Sequence, residues 1–151
     1  MFVGDLLDTK GRGVVSVPMN ATVETAARLL MNHRIGGVVV KDSCGTEGEA
    51  LVGIFTERDI VRAVSERGAA GLKTQVADLM TRNTIVCSVD DTLDYVRELM
   101  DSRRIRHVPV LDDTRLVGIL SIRDIVAYDV RRARTANESK AAAMGASPTH
   151  A

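Results

Sequence analysis

The sequence has few aromatic residues and no tryptophan: phenylalanine and tyrosine together make up 3% of its 151 residues. A surface that stacks the bases of single-stranded nucleic acid needs more rings than that. The charges also balance, with 20 Lys and Arg against 20 Asp and Glu, so the basic excess of a general nucleic-acid binder is missing. We therefore expect no nucleic-acid partner.

Long hydrophobic runs are missing as well. No stretch approaches the roughly 18 apolar residues of a membrane span, and the first residues show neither the basic start nor the apolar stretch of a signal peptide. We therefore expect a cytoplasmic protein that has no membrane partner.

Cysteine and histidine are sparse. Cys44 and Cys87 show no Cys-x-x-Cys spacing, and the three histidines form no metal-ligand spacing. The pattern predicts free thiols and no metal site. It leaves open whether either thiol senses redox state.

What the sequence does contain is an internal repeat. Residues 51–61, LVGIFTERDIV, return as residues 116–126, LVGILSIRDIV, with eight of the eleven positions identical. Upstream of this segment the shift between the copies changes from 65 to 70. The difference falls in the turn-rich residues 43–49, where an insertion costs little. The lead-in residues 3–7 and 76–80 resemble each other too.

Each repeat predicts the same order of elements, β-α-β-β-α. Thr22 and Thr92 precede amphipathic stretches as N-caps, and Thr56 and Ser121 begin the closing helices. One unit cannot bury both faces of its three-stranded sheet, whereas two related units can. The predicted fold class is therefore α+β, with two pseudo-twofold-related β-α-β-β-α repeats packed as one compact module.

The chain divides into three parts by sequence. Residues 1–72 form the first repeat with its N-terminal lead-in, and residues 73–130 form the second repeat. No Ile, Leu, Val or Phe follows residue 130. We expect residues 131–140 to extend the last helix as a charged, exposed rod and residues 141–151 to be disordered.

The repeated segments at 53–59 and 118–124 share the pattern Gly-hydrophobe-hydrophobe-(Thr/Ser)-x-x-Asp. In isolation, this pattern indicates a capping box that satisfies two helix donors. A hydroxyl and a carboxylate at a strand-to-helix turn can also hold a ribose, next to a helix N-terminus that favours an anion. The two interpretations are compatible, because a carboxylate has about four acceptor positions.

With its repeat, this arrangement resembles the cystathionine-β-synthase (CBS) domain family, whose tandem pairs are called Bateman modules. The resemblance covers about residues 3–130, and it includes the Thr-capped helices and the segment RIRHVPV at 104–110. As a type, the chain resembles a stand-alone bacterial CBS-pair protein. The resemblance implies a homodimer that binds AMP, ADP or ATP, or in some members NAD(H) or S-adenosylmethionine, between its halves.

The resemblance also implies two clefts. In the first, it assigns the ribose to Ser121 and Asp124, the phosphate to Arg106, His107 and Arg123, and the adenine slot to Val14, Ser16 and Ile35. In the second, it assigns the ribose and phosphate to Thr56, Arg58 and Asp59, and the base to Thr84, Val86 and Ile105.

In the Asp59 cleft, Gly36 and Gly37 occupy the repeat positions that are Arg106 and His107 in the Asp124 cleft. We therefore expect the Asp124 cleft to bind more tightly, since the Asp59 cleft would lack two cationic phosphate contacts. Alternatively, the glycines leave room for a second phosphate or a dinucleotide.

The leading hypothesis for function is a regulatory sensor of adenosine nucleotides, read by an unidentified partner protein. The alternatives are an NAD(H) or S-adenosylmethionine binder, and a dimerisation or interaction module that binds little. An enzyme is disfavoured, because no nucleophile grouping and no Gly-rich phosphate loop stands out. We accordingly predict no catalytic residue and no catalytic cofactor.

Overall fold

The computed structural model describes residues 1–11, 13–42 and 50–145. This part of the chain contains five α-helices and six β-strands. The helices are α1 Val3–Lys10, α2 Val23–His33, α3 Glu57–Arg67, α4 Leu93–Arg103 and α5 Ile122–Ala143. The strands are β1 Ser16–Pro18, β2 Gly37–Asp42, β3 Ala50–Thr56, β4 Cys87–Ser88, β5 His107–Asp112 and β6 Arg115–Ser121. Two 3-10 segments, Gly68–Lys73 and Val76–Asp78, join the repeats.

The strands form two sheets with the same topology. The orders are β1-β2-β3 and β4-β5-β6. In each sheet the short first strand runs parallel to the second, and the last two strands are antiparallel. Both antiparallel pairs shift register at the same place, after Val40 and after Val110. The predicted α+β class and the two-repeat architecture are confirmed.

The helix ends agree with the capping pattern of the sequence. Thr22 Oγ1 accepts a hydrogen bond from the Thr25 N–H at 3.2 Å, and Thr92 Oγ1 accepts one from the Tyr95 N–H at 3.1 Å. Both helices also end alike, on arginines in the left-handed region, Arg34 at φ 54° and Arg104 at φ 53°. The predicted N-caps are therefore confirmed.

The first strand of each repeat is shorter than predicted. We expected strands over 14–17 and 84–87, but they begin at Ser16 and Cys87. In the second repeat the cause is a local turn: the Thr84 N–H donates to the Arg82 carbonyl at 2.8 Å, and its hydroxyl lies 3.3 Å from the Thr81 carbonyl. Those bonds give residues 81–84 a turn just ahead of the strand.

The two repeats exchange their lead-in segments. Val3, Leu6 and Leu7 of α1 are buried in the core of the second repeat. Val76, Leu79 and Met80 are buried in the core of the first. Each lead-in also bonds beside the first helix of the other repeat. The Val3 N–H donates to the Asp91 carbonyl at 2.8 Å, and the Val76 N–H donates to the Ala21 carbonyl at 2.8 Å.

A third, smaller cluster joins the halves. It combines Val39 and Ile54 of the first sheet with Ile119 of the second. The division of the sequence at residue 72 therefore differs from the division of the molecule into cores, because α1 belongs to the second core.

Helix α5 is longer than predicted. We expected disorder from residue 141, but the helix continues to Ala143. Alanine has the highest intrinsic helix propensity, and residues 141–143 are all alanine. The predicted disorder of residues 146–151 lies outside the described residues. The predicted extension over 131–140 is helical and exposed.

Cys87 is buried in the second core. Burial, with a smaller contribution from the nearby Asp91 carboxylate, raises the pKa of its thiol to about 12. The Cys87 thiol is therefore protonated near neutral pH, which disfavours a redox role. Cys44 lies outside the described residues. Within those residues no group of three potential ligands could hold a metal ion, and no helix is long and apolar enough to cross a membrane.

Candidate functional site

Two cavities open where the first half of the molecule meets the second. One, of about 340 Å³, surrounds the start of α3 and is called the Asp59 cleft. The other, of about 230 Å³, surrounds the start of α5 and is called the Asp124 cleft. The larger volume falls within the range typical of small-molecule sites, about 300–1,000 Å³. Each cavity lies at a strand-to-helix turn that carries one copy of the repeated motif.

In the Asp59 cleft the motif forms a capping box. The Thr56 N–H donates to Asp59 Oδ2 at 2.9 Å, and Asp59 Oδ1 lies 3.6 Å from the Arg62 guanidinium. Asp59 is only 6% exposed. Burial raises the pKa of its carboxyl above the ordinary value, and the Thr56 N–H and Arg62 offset that effect only in part.

In the Asp124 cleft the same capping box has an additional partner. The Ser121 N–H donates to Asp124 Oδ2 at 2.9 Å, and the Asp124 N–H donates to Ser121 Oγ at 3.1 Å. The Lys10 ammonium lies 2.6 Å from the same Oδ2. Burial alone would raise the pKa of Asp124, but the bonds from Lys10 and Ser121 outweigh it and the pKa lies below its ordinary value.

The structure brings most of the predicted site residues together. Thr56, Arg58, Asp59, Thr84 and Ile105 line the Asp59 cleft. The residues of the predicted set that line the Asp124 cleft are Ile35, Arg106, His107, Ser121, Arg123 and Asp124.

Three predicted base contacts lie elsewhere. Val14 packs against the small cluster between the sheets, and Ser16 pairs with Val39 inside the first sheet. Val86 is exposed and does not line the Asp59 cleft. Val14 and Val86 lie just outside the shortened first strands, whereas Ser16 is held in β1 by its pairing with Val39.

Sequence reasoning missed several lining residues. Arg104 and Asn83 line the Asp59 cleft, while Lys10 and Arg34 line the Asp124 cleft. Arg34 and Arg104 occupy equivalent repeat positions, so the repeat itself carried a signal for them. Lys10 had no such signal, because its place in the cleft depends on the exchange of lead-in segments.

The clefts share a wall. Gly36, Glu57, Arg106 and His107 line both cavities. The expectation that the Asp59 cleft lacks Arg106 and His107 is therefore wrong, because packing of the two halves places β5 beside both cavities. The grounds for tighter binding in the Asp124 cleft no longer hold.

The glycines at the shared wall accommodate His107. A Cβ on Gly36 would lie 3.2 Å from His107 Nε2, and one on Gly37 would lie 3.0 Å from His107 Cδ2. Both separations are tighter than ordinary contact. The space left by the two glycines is thus already filled by an imidazole, which removes the basis for a second phosphate or a dinucleotide there.

Burial disfavours the charged form of His107 in this wall. Burial lowers the pKa of its imidazole below 6.5, although the Asp124 and Glu57 carboxylates act in the opposite direction and Lys10 and Arg123 lower it further. Burial therefore disfavours the cationic phosphate contact that was predicted from His107.

Acidification should destabilise the fold through His107. A histidine whose folded pKa is depressed contributes stability fully above its unfolded pKa and loses it as the pH falls through the folded value. We expect the unfolding free energy of the wild type to fall more than that of His107→Gln as the pH drops through the ordinary histidine pKa and below it. Urea denaturation across this range measures the difference. His33→Gln, at an exposed histidine, is the matched control, and equal slopes for wild type and His107→Gln would contradict the assignment.

Comparisons with known proteins agree with this geometry. The CBS domain model matches residues 3–66 and again residues 76–131. The chain belongs to the CBS domain family. As a tandem CBS pair, it places each family motif at the mouth of one cleft.

Curated relatives include two CBS proteins. The mitochondrial CBS domain-containing protein CBSX3 of Arabidopsis thaliana is 33% identical over 139 residues, which is 87% of this chain and 66% of that protein. YhcV of Bacillus subtilis is 29% identical over 137 residues, 91% of this chain and 90% of that protein. The CBS pair thus spans just under two thirds of one relative and nearly all of the other.

Solved structures of CBS proteins superpose well. The protein ATU1752 from Agrobacterium tumefaciens is 46% identical with a TM-score of 0.80, covering 85% of this chain and 99% of that one. The CBS pair of MJ0100, in complex with 5′-methylthioadenosine and S-adenosyl-L-methionine, is 30% identical with a TM-score of 0.75, covering 87% of this chain and 98% of that one. PAE2072 from Pyrobaculum aerophilum, complexed with AMP, is 32% identical with a TM-score of 0.71, covering 82% and 89%.

Proposed function

We propose that this CBS pair is a regulatory module that binds an adenosine nucleotide of the AMP, ADP or ATP type in the clefts between its halves. The observation that carries the proposal is the composition of the Asp59 cleft. A buried carboxylate and a hydroxyl stand at its strand-to-helix turn, and three arginines, Arg58, Arg104 and Arg106, line the same cavity.

Each part of a nucleotide finds matching chemistry in this cleft. The Asp59 carboxylate can accept bonds from vicinal ribose hydroxyls, and the Thr56 hydroxyl adds a further donor or acceptor. Arginine guanidiniums bind phosphate in a bidentate manner, and the N-terminus of α3 also favours a phosphate anion. Ile54, Ile85 and Ile105 supply an apolar surface for the base. The AMP complex of PAE2072 supports this ligand class.

We further propose that the Asp59 cleft binds more tightly than the Asp124 cleft. Its cavity is the larger of the two. Among the described residues, its carboxylate has partners near it in sequence, at Thr56 and Arg62, whereas Asp124 is paired with the distant Lys10. This order reverses the expectation drawn from Gly36 and Gly37.

Asp59→Asn should weaken AMP binding by about one to two orders of magnitude. A hydrogen bond to a charged group is worth about 1.5–3 kcal/mol, and 1.4 kcal/mol is about tenfold. Asp124→Asn, the matched control in the other repeat, should hardly change the affinity for the first AMP molecule that binds. Titration calorimetry measures both affinities. Thermal melts of both variants show whether each still folds.

A pure capping role predicts a different result. Both variants would then bind AMP as the wild type does, and the proposal would fail. Recovery of the bound AMP unchanged after prolonged incubation is also expected, because we propose binding without a catalytic step and without a catalytic cofactor.

Two alternatives remain distinct proposals. S-adenosylmethionine is favoured by the MJ0100 complex, and NAD(H) would offer the same ribose and adenine. Competition of either compound against labelled AMP ranks them directly. A dimerisation or interaction module with little ligand binding would retain none of these compounds in equilibrium dialysis.

Regulation would require a change that a partner protein can read. A ligand shifts a conformational equilibrium only when it binds the two arrangements unequally. We propose that a homodimer is the responsive unit. Val61 of α3 and Val126 of α5 occupy equivalent repeat positions and expose 68% and 54% of their surfaces, which supports contact with a second copy. Sedimentation with and without AMP tests the assembly.

As a division of the chain we propose the sequence-based one: residues 1–72 and 73–130 as the two repeats, and 131–151 as the extension. The exchanged lead-ins make these units of sequence only, while ligand binding requires both.

A further inference from the structure

Lys10 reaches the Asp124 cleft from an element remote in sequence. It is the last residue of α1, and its ammonium lies 2.6 Å from Asp124 Oδ2 and 2.6 Å from the Ile119 carbonyl oxygen. The Lys10 and Asp124 side chains are 31% and 24% exposed. The ammonium therefore sits at the carboxylate that the motif would offer to a ribose.

A helix positions this lysine firmly. Val3, Leu6 and Leu7 of α1 are at most 1% exposed and anchor the helix in the second core. Leu7 also contacts the position of Gly118, since a Cβ there would lie 3.0 Å from a Leu7 methyl carbon. To leave Asp124, Lys10 must give up two hydrogen bonds.

The other cleft has a neutral residue at the equivalent position. The lead-ins align Val3 with Val76, and the same shift aligns Lys10 with Asn83. Asn83 lines the Asp59 cleft just as Lys10 lines the Asp124 cleft. An amide carries no charge with which to occupy a carboxylate. At this pair of corresponding positions, one cleft has a cation and the other a neutral amide.

We propose that Lys10 closes the Asp124 cleft to the ribose of an adenosine ligand, so that the residue at position 10 or 83 decides which cleft is open. The inference rests on the proposed function. Oδ2 already accepts bonds from the Ser121 N–H and the Lys10 ammonium, so a vicinal diol that needs both carboxylate oxygens must displace Lys10. Charge-assisted hydrogen bonds are the stronger kind, so the neutral hydroxyls bind only after the ammonium leaves.

The reciprocal exchange Lys10→Asn and Asn83→Lys tests the proposal. Adenosine is the first probe, because it has no phosphate whose attraction would change with the charge of the variant. Amide resonances of Thr56 and Ser121 in two-dimensional NMR report the Asp59 and Asp124 clefts separately. AMP is titrated in parallel.

In the wild type we expect Thr56 to respond at lower ligand concentration than Ser121. Lys10→Asn should strengthen adenosine binding at Ser121 by about tenfold, a magnitude discounted for the partial exposure of the ion pair. Asn83→Lys should weaken binding at Thr56 by a similar factor. Lys10→Arg keeps the charge, so the Asp124 cleft should remain closed in this variant. Lys73→Asn, at an exposed lysine, should change adenosine binding in neither cleft.

Equal titration of Thr56 and Ser121 in the wild type would overturn the inference while leaving the proposed function intact. So would Lys10→Asn weakening adenosine binding at Ser121 or leaving it unchanged, since Lys10 would then hold the ligand or act elsewhere. If Lys10→Asn unfolds, Asn83→Lys carries the test alone, because Asn83 is exposed. If neither adenosine nor AMP shifts either resonance in any variant, the proposed function itself fails and the inference with it.

Discussion

Gly53→Ala is expected to lower the unfolding free energy by about 3 kcal/mol, the upper part of the range for overpacking a well-packed interior. A Cβ at this position would lie 2.6 Å from the Thr81 carbonyl oxygen. That oxygen belongs to backbone held in place by two bonds, from Ile54 N–H at 3.0 Å and from Thr81 N–H to the Ile54 carbonyl at 2.9 Å. Backbone fixed on both sides cannot move away cheaply.

Gly118→Ala is the matched control, because Gly118 is the equivalent residue of the second repeat. Its Cβ would first meet the Leu7 side chain at 3.0 Å, and the end of a leucine side chain can shift. We expect a loss of about 1 kcal/mol. Urea unfolding monitored by circular dichroism measures both. Equal losses for the two variants would show that the close approach of the 53 and 81 backbones does not limit packing.

Arg106→Ala should weaken AMP binding at both clefts, by about tenfold to a hundredfold. Arg106 lines both cavities, so a single substitution removes a guanidinium from the wall that the two clefts share. Its side chain is exposed, so the fold should tolerate the change. Adenosine, which has no phosphate, should bind almost as it does to the wild type. Titration calorimetry with AMP and then with adenosine separates the two effects.

Arg103→Ala provides a control of equal charge on the exposed end of α4. It should leave AMP binding within about twofold, because Arg103 lines neither cleft and an exposed charge is screened by salt. An equal loss for AMP and adenosine in Arg106→Ala would assign Arg106 to the structure of the wall instead. No loss at all would make it a solvated surface charge.

Local patterns predicted most of the fold. Thr22, Thr92, Thr56 and Ser121 were identified as helix starts because capping depends on residues within one turn of each other. The strand pairs followed from the repeat and from short turns. The first strands were predicted too long, because β-branched residues at 14–15 and 84–86 favour strands whether or not a partner is within reach.

The sequence predicted those parts of the candidate site whose residues all belong to one repeat. Transfer of the motif placed Thr56 with Asp59 and Ser121 with Asp124, which are near neighbours in sequence. It treated Arg106 and His107 as belonging to one cleft, since the wall that both clefts share exists only after the halves pack. Lys10 and Asp124 are 114 residues apart, and no periodicity in the sequence relates them.

Each lead-in completes the core of the other repeat. A polypeptide with a single repeat would therefore leave its own lead-in exposed and its core incomplete. Such a chain would complete its core only by domain swapping with a second copy, at a cost that depends on concentration. Covalent linkage of two repeats makes the same exchange intramolecular and gives it a high effective concentration. It also lets the two copies diverge at single positions, such as Lys10 and Asn83, which a symmetric swapped dimer of identical chains would not permit.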